Sequence, residues 1–546
     1  MELKGEKFFW FLLLLVFAAS LYHLGGWGVT ETSEARYAEI PREMLEAGDW
    51  IYPRYLGILH FDKPPMTYWI TMLSYKIFGI SEFSARFPLQ LAFLLQIFIV
   101  YKLSELLFKE RDTALLSAIC YASLPLVLMS IRNLTTDAYL NTFTLLTVYF
   151  YALYRKSHRI PWLLAASVSL GLGVLTKGPF AFIVPVCALY PVNKAFPAPD
   201  LWRRHWLAVV FCGILAAAVG GSWFLYLIRQ SPEFYNFFIR EQFIDRVSNA
   251  DSLKRSEPFW YYFAFLPLLI FPCLGLLLHW IFNVRKKPSE ANRLGFFTVL
   301  LPLIIFSLSS SKLVLYILSV SPFIAVCLGK IFSEMGSKSL SRVFVFNAAF
   351  ALLLYLGLIL LSSNAIPNLN FTVNVQMIAW LVFAGIFLAV ALKLFLQKKI
   401  SISLLMLFLP LIIIPLSTNY LSQIETEIGS PKPVSEFIKK EKPHSSVLAW
   451  NRVYNSVAFE LKKQIYSIKY ENYTLNRETR FQPDDSWKDS LLDINTPEGQ
   501  QQVRSLLGGD CVFIHLKREK IPEEHGWILA ELPQEKEFGK YIIRYR

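Results

Sequence analysis

Long apolar runs separated by short polar breaks fill the first 420 residues, and then the pattern changes. A membrane-crossing helix needs about 20 mostly apolar residues, and the runs supply about thirteen such stretches, from residues 8–24 to 401–416. The run over 68–108 is too long for one crossing, and the segment 81–88 divides it, so its first part is expected along the membrane surface. Between the first two runs lies a long polar loop, residues 25–67, in which Thr32 or Ser33 can cap a helix ended by Gly48. Tyr37, Ile40, Met44 and Leu45 recur near helical spacing opposite Arg36, Glu39, Glu43 and Glu46, which predicts an amphipathic helix on the membrane, kinked or broken at Pro41. After residue 420, the segments 433–440, 445–450, 458–463, 464–470, 499–507, 511–517 and 541–546 mix helix-like and strand-like patterns. These predict a small α/β domain outside the membrane.

The expected fold is therefore an α-helical polytopic membrane protein with about thirteen transmembrane helices and a small C-terminal α/β extracytoplasmic domain. Residues 1–420 would form the membrane domain, including loop 25–67, and residues 421–546 the soluble one. Composition agrees: 54% of residues are hydrophobic and 17% charged, against about 25% charged in soluble domains. The formal charge of +13 would suggest nucleic acid in a soluble chain. In this one it collects in alternate loops, such as Arg155, Lys156 and Arg159, Arg285 to Lys287, and Lys398 with Lys399. Those loops are expected in the cytoplasm, with the amino terminus, which puts the tail outside the plasma (inner) membrane. Six cysteines, five of them in apolar runs, show neither disulfide nor metal spacing.

Ionisable residues gather at the span ends that this topology turns outward: Glu31, Glu34 and Arg36, Asp62 and Lys63, Arg132 and Asp137, Lys177, Arg240 to Arg246, and Lys312 with Tyr316. Charge at a bilayer edge is costly unless solvated, paired or used. Each taken alone can be explained by snorkelling or loop solvation. The run His60-Phe61-Asp62-Lys63-Pro64-Pro65 holds an acid and a lysine on a stiffened backbone at the interface. Lys312 and Tyr316, four apart, would share a helix face. No Gly-rich phosphate loop is present, which disfavours a nucleotide-driven enzyme. Cations with a few carboxylates suit a lipid-phosphate substrate: cations hold phosphate, and a carboxylate activates or orients an acceptor. A secondary transporter or lipid flippase is the alternative, although transporters tend to place polar residues near the bilayer midplane.

The order Glu34-Ala35-Arg36-Tyr37-Ala38-Glu39-Ile40, Arg42-Glu43-Met44, Gly48-Asp49-Trp50 and Phe61-Asp62-Lys63-Pro64-Pro65 with Tyr68-Trp69 resembles the first periplasmic loop of the lipid A aminoarabinose transferases. These are GT-C glycosyltransferases, as are the protein O-mannosyltransferases. The resemblance implies transfer of a sugar from a polyprenyl-phosphate carrier to an extracytoplasmic acceptor, a lipid A-like glycolipid, a glycan or a protein. It implies that Lys63, Lys177, Arg246 and Tyr316 surround the carrier phosphate; Lys312 and Arg36 are further candidates for it on their charge and position. Asp137 matches the family's second acidic position, and Asp62 a position that contacts a divalent metal. Ser33 stands where the family often has Asp, so the role of that carboxylate passes to Glu34 or Glu31, or is dispensable. Glu241-Gln242 stands where Glu-His is common, so no strict metal requirement is expected.

Overall fold

The computed structural model describes residues 5–31, 33–244, 257–283, 290–363, 371–397, 402–471 and 479–546. The chain divides into two compact units. One joins Met1–His23 to Leu89–Asn419 and the other joins Leu24–Pro88 to Tyr420–Arg546. Packing thus groups the first loop with the tail, whereas sequence order had placed it with the spans.

The first unit is helical. Eight helices among the described residues are long and apolar enough to cross a membrane, from Glu82–Phe108 to Ile402–Leu421. The other apolar runs are shorter, broken or more polar. Gly5–Leu21 has 17 residues. Arg111–Ala122 breaks before Pro125–Ser130. Thr136–Ser157 is long enough but carries Asp137, Asn141, Thr142, Thr144 and Thr147. Helix Ile160–Lys177 stops at Gly178, whose φ of +64° a side chain would resist. A turn of 3-10 helix, Gly178–Phe182, leads into Ile183–Ala195.

Small residues bring these helices close, as expected in lipid, where tight van der Waals contact replaces the hydrophobic drive. A methyl group on Gly171 would lie 2.7 Å from Val219 Cβ, and one on Gly220 2.8 Å from Val174 Cβ. Polar side chains tie the bundle. Gln96 Nε2 donates to Ala138 O (2.9 Å) and Thr142 Oγ1 (2.7 Å), Tyr121 Oη donates to Gln96 Oε1 (2.7 Å), and Asn141 Nδ2 donates to Tyr121 Oη (2.8 Å). This buried network fixes the helix that carries Asp137.

In the second unit, Ser33–Glu46 is one uninterrupted helix with Pro41 inside it, so the break expected at that proline does not occur. Its charged face is exposed only in part: Glu46 is exposed and Arg36 and Glu43 are half-buried, whereas Glu39, with Glu34 and Arg42, is buried. Arg42 explains part of this, because its Nε and Nη2 donate to Glu39 at 2.7 and 2.5 Å and its Nη1 to Glu46 at 2.6 Å. Paired charges can be enclosed by protein, so apolar spacing alone overestimated the surface character of this helix. The run over 68–108 divides as expected, into Met66–Phe78 and Glu82–Phe108.

The loop contributes a two-residue hairpin, β1 (Arg54–Tyr55) and β2 (Ile58–Leu59). The tail forms a six-stranded sheet from β3 (Ser446–Trp450), β4 (Tyr466–Lys469), β5 (Leu491–Asp493), β6 (Cys511–Leu516), β7 (Gln534–Phe538) and β8 (Tyr541–Tyr545), in the order β5-β4-β3-β6-β8-β7. Strands β5, β4, β3 and β6 are parallel, while β8 and β7 close one side antiparallel. Leu448, Trp450, Ile468, Phe513, Val503 and Leu507 fill one core beneath the sheet and helix Pro497–Leu507. All six cysteines are buried and free.

Candidate active site

In the membrane unit, Asp137 occupies the first turn of helix Thr136–Ser157, and Lys177 is the last residue of helix Ile160–Lys177. These helices are antiparallel neighbours in sequence, joined at His158 and Arg159, so the start of one meets the end of the other. Lys177 Nζ donates to Asp137 Oδ1 in a largely buried ion pair. The same ammonium lies 4.2 Å from the ring centre of Tyr316, and Phe180 packs on that ring at 5.9 Å. Tyr262 is buried on helix Tyr261–Leu269, which packs against the 3-10 helix that carries Tyr316. Thr135 Oγ1 and Tyr139 Oη are buried, with no hydrogen-bond partner among the described residues. Sequence reading missed Tyr262, Thr135 and Tyr139, since tyrosine and threonine are common in spans and carry no charge to mark them.

Lys312 does not share a helix face with Tyr316. Leu313 is extended (φ −134°, ψ 142°) and Tyr316 belongs to the 3-10 helix Val314–Val320, so the 3.6-residue spacing does not apply. Lys312 is buried and its Nζ donates to Glu257 O at 2.6 Å. Arg132 donates through Nη1 and Nη2 to Tyr22 O, both at 3.1 Å, bracing the end of the first helix. Arg246 lies outside the described residues.

In the loop-and-tail unit, Asp62 is shared by two cations: Lys63 Nζ at 2.8 Å and Arg36 Nη1 at 3.8 Å. Two cations beside the carboxylate are a poor setting for a divalent ion. Among the described residues no group of three His, Cys, Asp or Glu side chains comes together to hold one. The residues present therefore do not fit the metal that the resemblance implied at Asp62.

Glu34 is held differently from the role expected for it. Its carboxylate accepts from Arg86 Nε (2.8 Å) and Nη2 (3.0 Å), and from Thr30 N (2.9 Å) and Oγ1 (3.0 Å). Arg86 is fully buried. It also donates to the carbonyls of Leu24, Trp27 and Gly28 and lies 4.2 Å over the Trp27 ring. These four hydrogen bonds make the carboxylate an anchor for the chain around it. Arg86 escaped the sequence reading because its partner is 52 residues away. Glu31 is the more available acid: Oε1 accepts from Ser456 N (2.7 Å) and Oγ (2.6 Å), whereas Oε2 is buried with no hydrogen-bond partner among the described residues. Burial pushes its pKa up to about 7 against the opposing pull of Ser456, Arg452 and Arg36.

Residues 62–226 match the family model described as dolichyl-phosphate-mannose-protein mannosyltransferase. The undecaprenyl phosphate-alpha-4-amino-4-deoxy-L-arabinose arabinosyl transferase of Serratia proteamaculans is 30% identical over 405 residues, which is 70% of this chain and 72% of that protein. The Sodalis glossinidius transferase 1 of the same description is 33% identical over 66% of each chain. The crystal structure of ArnT from Cupriavidus metallidurans in the apo state shares the fold, with a TM-score of 0.76 at 20% identity over 99% of this chain and 97% of that one. Its undecaprenyl phosphate-bound form gives 0.74.

Proposed function

The chain belongs to the family of undecaprenyl phosphate-α-4-amino-4-deoxy-L-arabinose arabinosyl transferases, and from that premise we propose how its own residues carry the reaction. It is an integral, multi-pass membrane glycosyltransferase that takes a sugar from a polyprenyl-phosphate carrier. The sugar is 4-amino-4-deoxy-L-arabinose and the acceptor a lipid A-like glycolipid on the outer face of the inner membrane, with the amino terminus inside and the tail outside. An acceptor hydroxyl forms the new bond to the anomeric carbon, the bond from that carbon to the phosphate oxygen breaks, and polyprenyl phosphate leaves. The hydroxyl proton passes to a carboxylate.

The observation that supports this reading most is the Asp137–Lys177 pair stacked on Tyr316. A lysine bonded to a carboxylate has a second use when phosphate arrives, because phosphate competes for the same ammonium. Lys177 then stabilises the leaving phosphate, while Asp137, released from its partner, accepts the proton. Tyr316 keeps the ammonium in place through its ring face. Lys63 and Arg36 supply further cations for the carrier phosphate, and Glu31 is the acid available on the acceptor or sugar side. No divalent ion is assigned to Asp62.

The test uses purified protein in proteoliposomes with lipid-linked aminoarabinose and a panel of phosphorylated glycolipids. Wild type should release polyprenyl phosphate and form glycosylated acceptor, while Asp137→Asn should retain carrier binding and lose turnover. Full turnover in Asp137→Asn overturns the role of Asp137. Movement of the lipid without sugar transfer by wild type overturns the enzyme reading.

A further inference from the structure

A cavity of about 550 Å³ opens in the loop-and-tail unit, lined by Glu31, Arg452, Tyr454, Arg518, Lys540 and Tyr541 among others. Its position follows from the sheet. From β3 the chain runs to one side, into β4 and β5, and then returns to place β6 on the other side. The crevice beyond the carboxyl ends of strands where the order reverses is where open α/β sheets hold ligands. Arg452 and Tyr454 follow β3, Lys517 and Arg518 follow β6, and Tyr541, paired with Leu516, begins β8.

The lining is cationic. Arg452, Lys517, Arg518 and Lys540 face two carboxyl groups, those of Glu31 and Glu427. Arg452 Nη2 donates to Glu519 (2.7 Å) and Lys517 to Glu537 (2.9 Å). Lys540 instead donates to a carbonyl, that of Glu427, at 3.1 Å. Arg518 has no ion-pair partner among the described residues. Burial pulls the Lys540 pKa down, opposed by Glu427 and helped by the more weakly acting Arg518 and Arg452. Three buried polar atoms of the lining residues, Glu31 Oε2, Arg452 Nε and Tyr454 Oη, have no hydrogen-bond partner among the described residues. Buried polar groups are ordinarily satisfied, so three on one cavity point to something that satisfies them.

We propose that this cavity binds a phosphorylated saccharide. The cations take the phosphate, while the Tyr454 hydroxyl and the Glu31 carboxyl take ring hydroxyls. The volume is within the range of small-molecule sites, about 300–1,000 Å³, and far above the ~30 Å³ of one water. The phosphosugar is either the headgroup of the membrane acceptor or a soluble sugar phosphate. The first source rests on the transfer reading above, the second does not.

The test uses the full chain in nanodiscs and calorimetric titration with glucosamine 1-phosphate, glucosamine and inorganic phosphate. Wild type should bind glucosamine 1-phosphate more tightly than either fragment. Arg452→Gln/Lys540→Gln should weaken it by roughly tenfold or more, the cost of a charge-assisted contact. Tyr454→Phe, which removes one hydroxyl and keeps the packing, should weaken it severalfold even where the double variant folds poorly. Undecaprenyl phosphate binding should be unchanged in both. In a transfer assay with a phosphorylated glycolipid, a raised KM at constant kcat in the double variant assigns the headgroup, whereas an unaltered KM assigns the soluble ligand. Failure of wild type to bind glucosamine 1-phosphate at millimolar concentration overturns the proposal. So does equal binding by wild type and both variants, or equal affinity for inorganic phosphate and the sugar phosphate. Failure of the transfer reading looks different: wild type binds glucosamine 1-phosphate but never transfers the lipid-linked sugar.

Discussion

Arg86→Met, on helix Glu82–Phe108, should loosen the loop that its side chain anchors. The side chain makes two bonds to Glu34 and three to backbone carbonyls, all between 2.8 and 3.1 Å. Removing one member of a buried ion pair costs about 3–5 kcal/mol, because the other charge stays buried alone. Expressed as local opening of residues 24–63, that is roughly a two-hundredfold to several-thousandfold rise in the open population. Trypsin reads it directly, since Arg36, Arg42 and Arg54 become cleavable only when the loop opens. Glu34→Gln should show the same susceptibility, as it leaves the guanidinium without its carboxylate. The double variant Arg86→Met/Glu34→Leu should recover much of the protection, because two apolar side chains of similar volume often substitute for a buried pair with little penalty. The reasoning is refuted if Arg86→Met is cleaved at the wild-type rate. It is equally refuted if Glu34→Gln keeps wild-type protection while transfer is abolished, which would make Glu34 a participant in the chemistry.

Lys63→Ala should weaken binding of polyprenyl phosphate by about one to two orders of magnitude, from the ~1.5–3 kcal/mol of a charge-assisted contact; wild-type affinity in a lipid-binding titration would remove Lys63 from the phosphate. Lys177→Met should lower both carrier affinity and turnover, whereas Asp137→Asn should lower turnover alone, a split that single-turnover kinetics resolves. Glu31 gives a pH signature. Burial holds its pKa at about 7 in the folded protein, above the ordinary carboxyl value of 4.5, so the folded state binds the proton more tightly. Its stabilising contribution is complete below pH 4.5 and is lost as pH rises towards and through 7, by at most ~1.4 kcal/mol per pH unit. Glu31→Gln should therefore gain thermal stability relative to wild type between pH 5 and 8, and a gap in Tm that shrinks over that range would contradict the assignment.

Local signals were read well in this sequence, and long-range pairings were not. Each of the seven tail segments singled out in the sequence overlaps a helix or a strand, and four of them coincide with β3, β4, β6 and β8. The two strands missed are Leu491–Asp493, only three residues long, and Gln534–Phe538, whose Glu535, Lys536 and Glu537 conceal it. That charged segment is an edge strand, where charge discourages pairing with other chains and erases the alternation that marks a strand. The candidate site divides along the same line. Asp137 and Lys177 stood out because each is an ionisable group at a span end, and they lie 40 positions apart on one helical hairpin that brings both ends together. Glu34 stood out just as clearly but without its partner, because nothing local to residue 34 announces an arginine at 86. The motif that identifies the loop therefore contains at least one acid selected by architecture. A conspicuous carboxylate in such a chain becomes a candidate for proton transfer only after its cation has been found: Glu34 is fixed by a guanidinium with five bonds of its own, whereas Lys177 holds Asp137 by a single hydrogen bond and can exchange it for phosphate.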